Sequence, residues 1–184
     1  MTVRDRLIQL LTLDGPAFRS QVGPVLGEFD IADRRRREAL DAEPEAFCGP
    51  DGFDGFDVLE RRTRELVRRL WLLDEAPLGL TLAGPAYQDN PIIYANRTLR
   101  RLTGYDLAAL RGENLRLLQG PETEAAAVDD LREALDIWEP VTVELRNYRQ
   151  DSTAFTNRLS VVPLADDTGT VAHWLGVQAA VDDD

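Results

Sequence analysis

Three amides stand where an alternating strand pattern would turn some of them inward. Asn147 and Asn157 fall on adjacent expected strands, and Gln178 falls on the last. A buried amide without partners costs about 1–3 kcal/mol, and it offers donors and acceptors together. Several amides converging on one cavity would suit a flat heterocycle with mixed edges, such as a flavin, purine or pterin. Inward amides also serve simply to satisfy turns and strand ends, and residue types alone leave both readings open. Arg116 and Arg132 have no partner of obvious register, so they add two cations suited to a phosphate tail. Ile92, Leu118, Val128, Leu131, Leu145, Val161 and Trp174 would supply apolar walls around such a ligand.

Other chemistries are poorly provided for. Cys48 is the single cysteine, which excludes an intramolecular disulfide and a cysteine metal cluster. His173 is the sole histidine, so metal or haem ligation is weakly supported. No nucleophile–base pair and no phosphate loop stands out, and the chain is expected not to be an enzyme.

Composition narrows the partners. The chain has 184 residues with 43% hydrophobic content, enough for a packed core. Its formal charge is -12, and all 21 basic residues are arginine. That charge repels phosphate backbones and anionic lipid, so neither nucleic acid nor membrane is an expected partner. Acidity without lysine suits a salt-rich cytoplasm that screens repulsion, which points to a halophilic source. An arginine-preferring genome would leave the same trace. No apolar run is long enough to span a bilayer and no signal-peptide pattern opens the chain, so the cytoplasm is the expected compartment.

The elements that must position the amides follow from periodicity. Residues 3–12 and 30–43 read as helices, and 17–29 are ambiguous because Gly23-Pro24 interrupts them. The Arg34–Arg37 run is flanked by acids and reads as a solvated helix face. Residues 44–57 are a loop or hinge. Residues 57–74 form a strong amphipathic helix with expected Glu60–Arg64 and Glu65–Arg69 pairs, either docked on its own domain or used for dimerisation and signalling. From residue 79 the period changes. Strands are expected at 79–83 and 92–95, short helices at 96–102 and 106–110, and a helix at 121–136 opened by Pro121. Three alternating strands follow at 140–149, 153–164 and 170–180. The expected organisation is a helical region at 1–50, a hinge and linker helix at 51–78, an α+β domain at 79–181 and an acidic tail at 182–184.

The residues of the α+β domain resemble a known family. The segments DNPIIY at 89–94, GENLRLLQGPET at 112–123, VTVELRNY at 141–148 and WLGVQ at 174–178 fall in the order and spacing of light-oxygen-voltage (LOV) domains, a flavin-binding branch of the PAS superfamily. The resemblance runs from about Gly79 to Val181 and does not cover residues 1–78. It implies a five-stranded antiparallel sheet with helices on one face. It also implies a flavin held by Asn147 and Asn157 at its pyrimidine edge, by Gln178 near N5 and O4, by Gln119 at the ring side, and by Arg116 and Arg132 at the phosphate. Asn114 and Leu115 belong to the same motif. The family pattern G-x-N-C-R-F-L-Q has its cysteine where this chain has Leu115, so the thioether that the family forms to flavin is excluded here. FMN is the expected flavin because no extra loop separates Gln119 from Pro121; FAD is the alternative.

Without the thiol, the resemblance implies photoreduction to a semiquinone, with Trp174, Trp138, Tyr148 or Tyr94 as electron donor. Protonation at N5 would then be answered by rotation of the Gln178 amide, with the helix at 57–74 as transmitter. One alternative is a dark redox or oxygen sensor; another is a PAS dimerisation module without cofactor. The expected partners are flavin and a second copy or another protein docking on the N-terminal helices.

Overall fold

The computed structural model describes residues 1–31 and 33–181; the acidic tail at 182–184 lies outside them. The chain divides into two compact units, Met1–Pro77 and the remainder from Leu78 onward. No helix among the described residues is long and apolar enough to cross a membrane.

Unit 1 contains α1 (Val3–Thr12), α2 (Gly15–Glu28), α3 (Arg34–Asp41) and α4 (Arg61–Leu72), with a 3-10 turn at Pro44–Ala46. Asp14-Gly15-Pro16 ends α1 and also starts α2. Asp14 accepts from Ala17 N as the N-cap, and Pro16 occupies the first turn, where its missing N–H costs nothing. Helix α2 then runs straight through Pro24. An interior proline costs about 3 kcal/mol. Phe18, Val22, Val25 and Leu26 continue one buried stripe across it, and that burial outweighs the break.

Helix α4 starts four residues later than its periodicity suggests. Gly52 and Gly55 take positive φ, and the turns they make bury Phe53 and Phe56 ahead of the helix. Glu60 is therefore the N-cap, and the expected Glu60–Arg64 pair does not form; Glu65–Arg69 does. The polar face is not solvated throughout, because Arg68 and Arg69 are buried. Arg68 donates to Ala39 O in α3, and Arg69 donates to Leu13 O at 2.6 Å beyond the end of α1. Helix α4 is thus docked within unit 1.

Unit 2 is an α+β fold. Strands β1 (Gly79–Ala83), β2 (Ile92–Ala95), β3 (Val141–Tyr148), β4 (Ala154–Ala165) and β5 (Val171–Val181) form one antiparallel sheet in the order β2-β1-β5-β4-β3. Helices α5 (Arg97–Thr103), α6 (Leu107–Leu110) and α7 (Ala125–Ile137) lie between β2 and β3 in sequence. Asn96 caps α5 and ties it to β1: its Oδ1 accepts from Leu80 N and Leu99 N, and its Nδ2 donates to Leu78 O. A Cβ at Gly79 would collide with Leu99, so glycine is what lets α5 approach β1.

Helix α7 begins at Ala125 rather than Pro121. The preceding turn is tied to Arg146 of β3: Thr123 Oγ1 donates to Arg146 O at 2.6 Å, and Arg146 N donates to Glu124 Oε2 at 2.6 Å. Those bonds turn the chain away from helical geometry until Glu124. From there Ala127 and Ala134, with Val128, Leu131 and Leu135 beside them, pack onto Val143, Leu145, Leu159, Val161 and Trp174. This apolar layer is the inner face of the sheet.

Candidate functional site

Register places the amides. Leu145 pairs with Asn157, Asn157 with Ala180, and Leu159 with Gln178, so Asn147, Asn157 and Gln178 all point to the inner face. Asn147 is 3% exposed, and Asn157 and Gln178 are fully buried. They form one chain of bonds. Asn157 Nδ2 donates to Asn147 Oδ1 at 2.8 Å and to Gln178 Oε1 at 2.9 Å, while Asn147 Nδ2 donates to Arg146 O at 3.1 Å. Gln178 Nε2 reaches Thr81 Oγ1 at 3.5 Å. Every polar atom of this group but one then has a partner; Asn157 Oδ1 is buried with none. An orphaned buried acceptor costs about 1–3 kcal/mol. It fits a ligand that brings an N–H to this spot, as the imide edge of a flavin does.

Thr81 was not among the residues singled out by sequence. Its signal was a hydroxyl between Leu80 and Leu82 in a short strand, which register with Gly176 and Gly79 with Gln178 turns inward. Gly176 is part of the same arrangement, since a Cβ there would overlap Thr81 Oγ1.

The expected walls are only partly assembled around the amides. Val128, Leu131, Leu145, Val161 and Trp174 belong to the inner-face cluster. Ile92 and Leu118 are buried outside that cluster, Ile92 being paired with Ala83. Among the donor candidates, Trp174 is 4% exposed within the cluster, whereas Trp138 is 63% exposed at the C-cap of α7. Tyr94 is buried opposite Leu82, and Tyr148 packs on Gly120.

The cationic part of the expectation needs correction. Arg116 and Arg132 are not without partners. Arg116 makes a two-pronged pair with Asp89, one arm at 2.9 Å, and Arg132 pairs with Asp129 at 2.7 Å one turn earlier on α7. The hydrogen bond to Asp89 pushes the Arg116 guanidinium up. Asp89 reaches Arg116 because its left-handed backbone ends the 3-10 turn at Ala86–Gln88, a placement that sequence distance hides. Both pairs are exposed on both sides.

Asn114 is also occupied. Its Oδ1 accepts from Arg116 N, capping the 3-10 turn at Leu115–Leu118, and its Nδ2 donates to Asp89 O at 2.7 Å. Leu115 is half-buried at the first position of that turn, and Gln119 is half-buried at its end. Cys48 is exposed in unit 1, its Sγ 3.6 Å from Ala46 O. Among the described residues, no group of three or more His, Cys, Asp or Glu is placed to hold a metal ion.

A family model described as "PAS domain" matches residues 79–179. The chain is 38% identical over 122 residues to the bacterioopsin transcriptional activator of Halobacterium salinarum, covering 66% of this chain and 17% of that protein. It is 36% identical over 132 residues to phototropin-1A of Oryza sativa subsp. japonica, covering 70% and 14%. It is 34% identical over 105 residues to a blue-light-activated histidine kinase of Brucella anthropi, covering 57% and 21%. The chain thus spans about a fifth or less of the length of these relatives. Among solved structures, a LOV domain studied with a flavin analogue superposes with a TM-score of 0.58 at 42% identity, over 60% of this chain and 82% of that one. The LOV domain of a blue-light activated histidine kinase from Erythrobacter litoralis superposes at 0.55 with 36% identity, over 58% and 98%.

Proposed function

The chain belongs to the PAS domain family, in its light-oxygen-voltage branch, and from that membership we propose that unit 2 is a flavin-binding blue-light sensor that works without a cysteinyl thioether. The observation that carries the reading is the orphaned Asn157 Oδ1, held inside a triad whose other bonds are made. FMN, with FAD as the alternative, would place its pyrimidine edge on Asn147 and Asn157 and its N5 side towards Gln178. Arg116 and Arg132 would hold the phosphate by releasing Asp89 and Asp129. Exposed pairs of this kind are worth about 0–1 kcal/mol, so the exchange is cheap.

Bound flavin supplies blue-light absorption and a one-electron acceptor. Leu115 brings no thiol, so the protein's contribution lies in donors and hydrogen bonds. Trp174, the buried aromatic on the inner face, is the favoured electron donor. Gln178 is the reader. Its Oε1 now accepts from Asn157 Nδ2. Turning the amide would bring Nε2 against Asn157 Nδ2, two donors face to face, so Gln178 cannot reverse without disturbing Asn157. The change would pass along β5 to protein–protein contact or to a change of oligomeric state, with α4 as the proposed transmitter. A dark redox sensor would use the same residues, and the missing thiol favours it equally.

The protein, purified in molar salt, should show a structured visible flavin band that blue light converts to a one-electron reduced spectrum and air restores. Leu115→Cys should divert that bleaching to a thiol-dependent route that Leu115→Ser does not give. Gln178→Leu should keep photoreduction and abolish the light-dependent change in hydrodynamic radius. A colourless protein that takes up no added FMN overturns the sensor reading and leaves a PAS interaction module. The Halobacterium relative supports the halophilic reading, which predicts a melting temperature that rises steeply with salt.

A further inference from the structure

Unit 1 contains a cavity of about 580 Å³, within the usual size range for small-molecule sites. Its wall carries three arginines, Arg19, Arg61 and Arg64, and two carboxylates, Glu45 and Glu65. Pro16 and Phe47 give it an apolar side.

The carboxylates are already spent. Glu65 is shared by Arg69 and by Arg62 at 3.2 Å, and Glu45 pairs with Arg61 at 3.3 Å. Arg64 is left over. Glu60, the N-cap of α4, makes no ion pair with it, and Arg64 Nε is buried with no acceptor. Arg19 likewise has no carboxylate partner among the described residues. Burial pushes the neighbouring Arg68 guanidinium down, and the charges of Arg19 and Arg69 push the same way against those of Glu65 and Glu45. Arg68 Nε is also buried without a partner. A chain with a net charge of -12 therefore gathers an uncompensated positive excess at one concave place. A guanidinium cannot escape by losing its proton, so the excess stays charged and open to an anion. The N-terminus of α2 adds little, because Asp14 already accepts from Ala17 N there.

We propose that this cavity is a binding site for a small organic oxyanion, a ring-bearing phosphate or carboxylate, with Arg19 and Arg64 gripping the anion and Phe47 covering the ring. Guanidinium forks match planar and tetrahedral oxyanions in two-pronged fashion. The site lies in unit 1 and does not depend on the flavin reading.

Calorimetric titration of the full chain at fixed chloride tests it with four probes: adenosine 5′-monophosphate, benzoate, inorganic phosphate and adenosine. The two ring-bearing anions separate phosphate from carboxylate as the preferred head group. At least one of them should bind saturably, tenfold or more tighter than inorganic phosphate or adenosine. Arg64→Gln and Arg19→Gln should each weaken it at least tenfold. Arg64→Gln should also hold or raise the melting temperature of the ligand-free chain, since it removes a half-buried guanidinium whose Nε has no acceptor; a purely structural Arg64 would lower it. Absence of saturable binding by both ring-bearing anions, or equal affinity in the two variants, overturns the site. Inorganic phosphate binding as tightly as the ring-bearing anions overturns the role of Phe47.

Discussion

Unit 1 buries guanidinium groups, whereas unit 2 buries amides. In unit 1, Arg36, Arg68 and Arg69 are all less than a tenth exposed, and each donates to a backbone carbonyl of another helix. Arg36 Nε donates to Leu72 O at 3.2 Å, Arg68 to Ala39 O, and Arg69 to the carbonyls of Leu13 and Leu11. These acceptors lie in or just past the last turns of α4, α3 and α1. The last turns of α1 and α3 carry no basic residue of their own, so there arginines from a neighbouring helix satisfy carbonyls at the helix end. In unit 2 the buried amides Asn147, Asn157 and Gln178 are neutral and bond chiefly to one another. A guanidinium can only donate, so it fastens helices in one arrangement. An amide can exchange donor for acceptor by turning, so it suits a site that must change state.

The comparison breaks first at Arg69. Arg69→Met keeps an apolar stem but removes the bonds to Leu13 O and Leu11 O, one partner of Glu65, and the stacking over Phe18 at 4.6 Å. A loss of about 3 kcal/mol is expected, as for breaking a buried pair. Urea denaturation followed by circular dichroism measures it, and a loss below about 1 kcal/mol would show that the carbonyls find other donors. Asn157→Leu comes next. It strips a donor from Asn147 Oδ1 and from Gln178 Oε1, costing about 2 kcal/mol. It should also abolish flavin uptake, which absorption of the purified variant reads directly.

The same contrast explains what could be read from residues alone. Strands β3, β4 and β5 were legible to within a residue because alternation of Val, Leu and Thr with polar residues has one meaning when one face is buried. That alternation placed Asn147, Asn157 and Gln178 on strands. Their mutual bonds depend on strand register, which a single sequence does not state. Arg132 could have been paired in advance, since Asp129 lies three residues earlier on the same helix. The Arg116–Asp89 pair could not, because a left-handed turn 27 residues away brings it about. In unit 1 Pro24 misled, since tertiary burial overrode a local rule. The inward arginines were hidden because arginine spacing on α4 reads equally as a solvated face.

A smaller effect sharpens the amide side. Gly176→Ala would push a methyl against Thr81 Oγ1, the group that Gln178 Nε2 approaches. The cost should be about 1 kcal/mol, at the low end for overpacking. In the Thr81→Ala background the same change should cost less, because the colliding oxygen is gone. A double-mutant cycle on urea midpoints tests this; additive losses would mean that the strand, not Thr81, resists the methyl.

The smallest expected effect separates the units by pH. Burial works to raise the Glu65 carboxyl, but the charges and hydrogen bonds of Arg69 and Arg62 outweigh it and hold it below its ordinary 4.5. A carboxyl depressed in the folded state contributes stability that is full above the unfolded value and is lost as pH falls through the folded one. The wild-type advantage over Glu65→Gln should therefore be constant from neutral pH down to about 5. It should shrink as the pH drops further. The amide triad carries no ionisable group, so a Gln178→Leu variant should keep a constant gap from wild type over the same range. A Glu65 gap that stays flat to pH 3.5 would show that Arg69 is held by the carbonyls of Leu13 and Leu11 without help from the carboxylate. The fastening of unit 1 would then be a matter of helix ends alone.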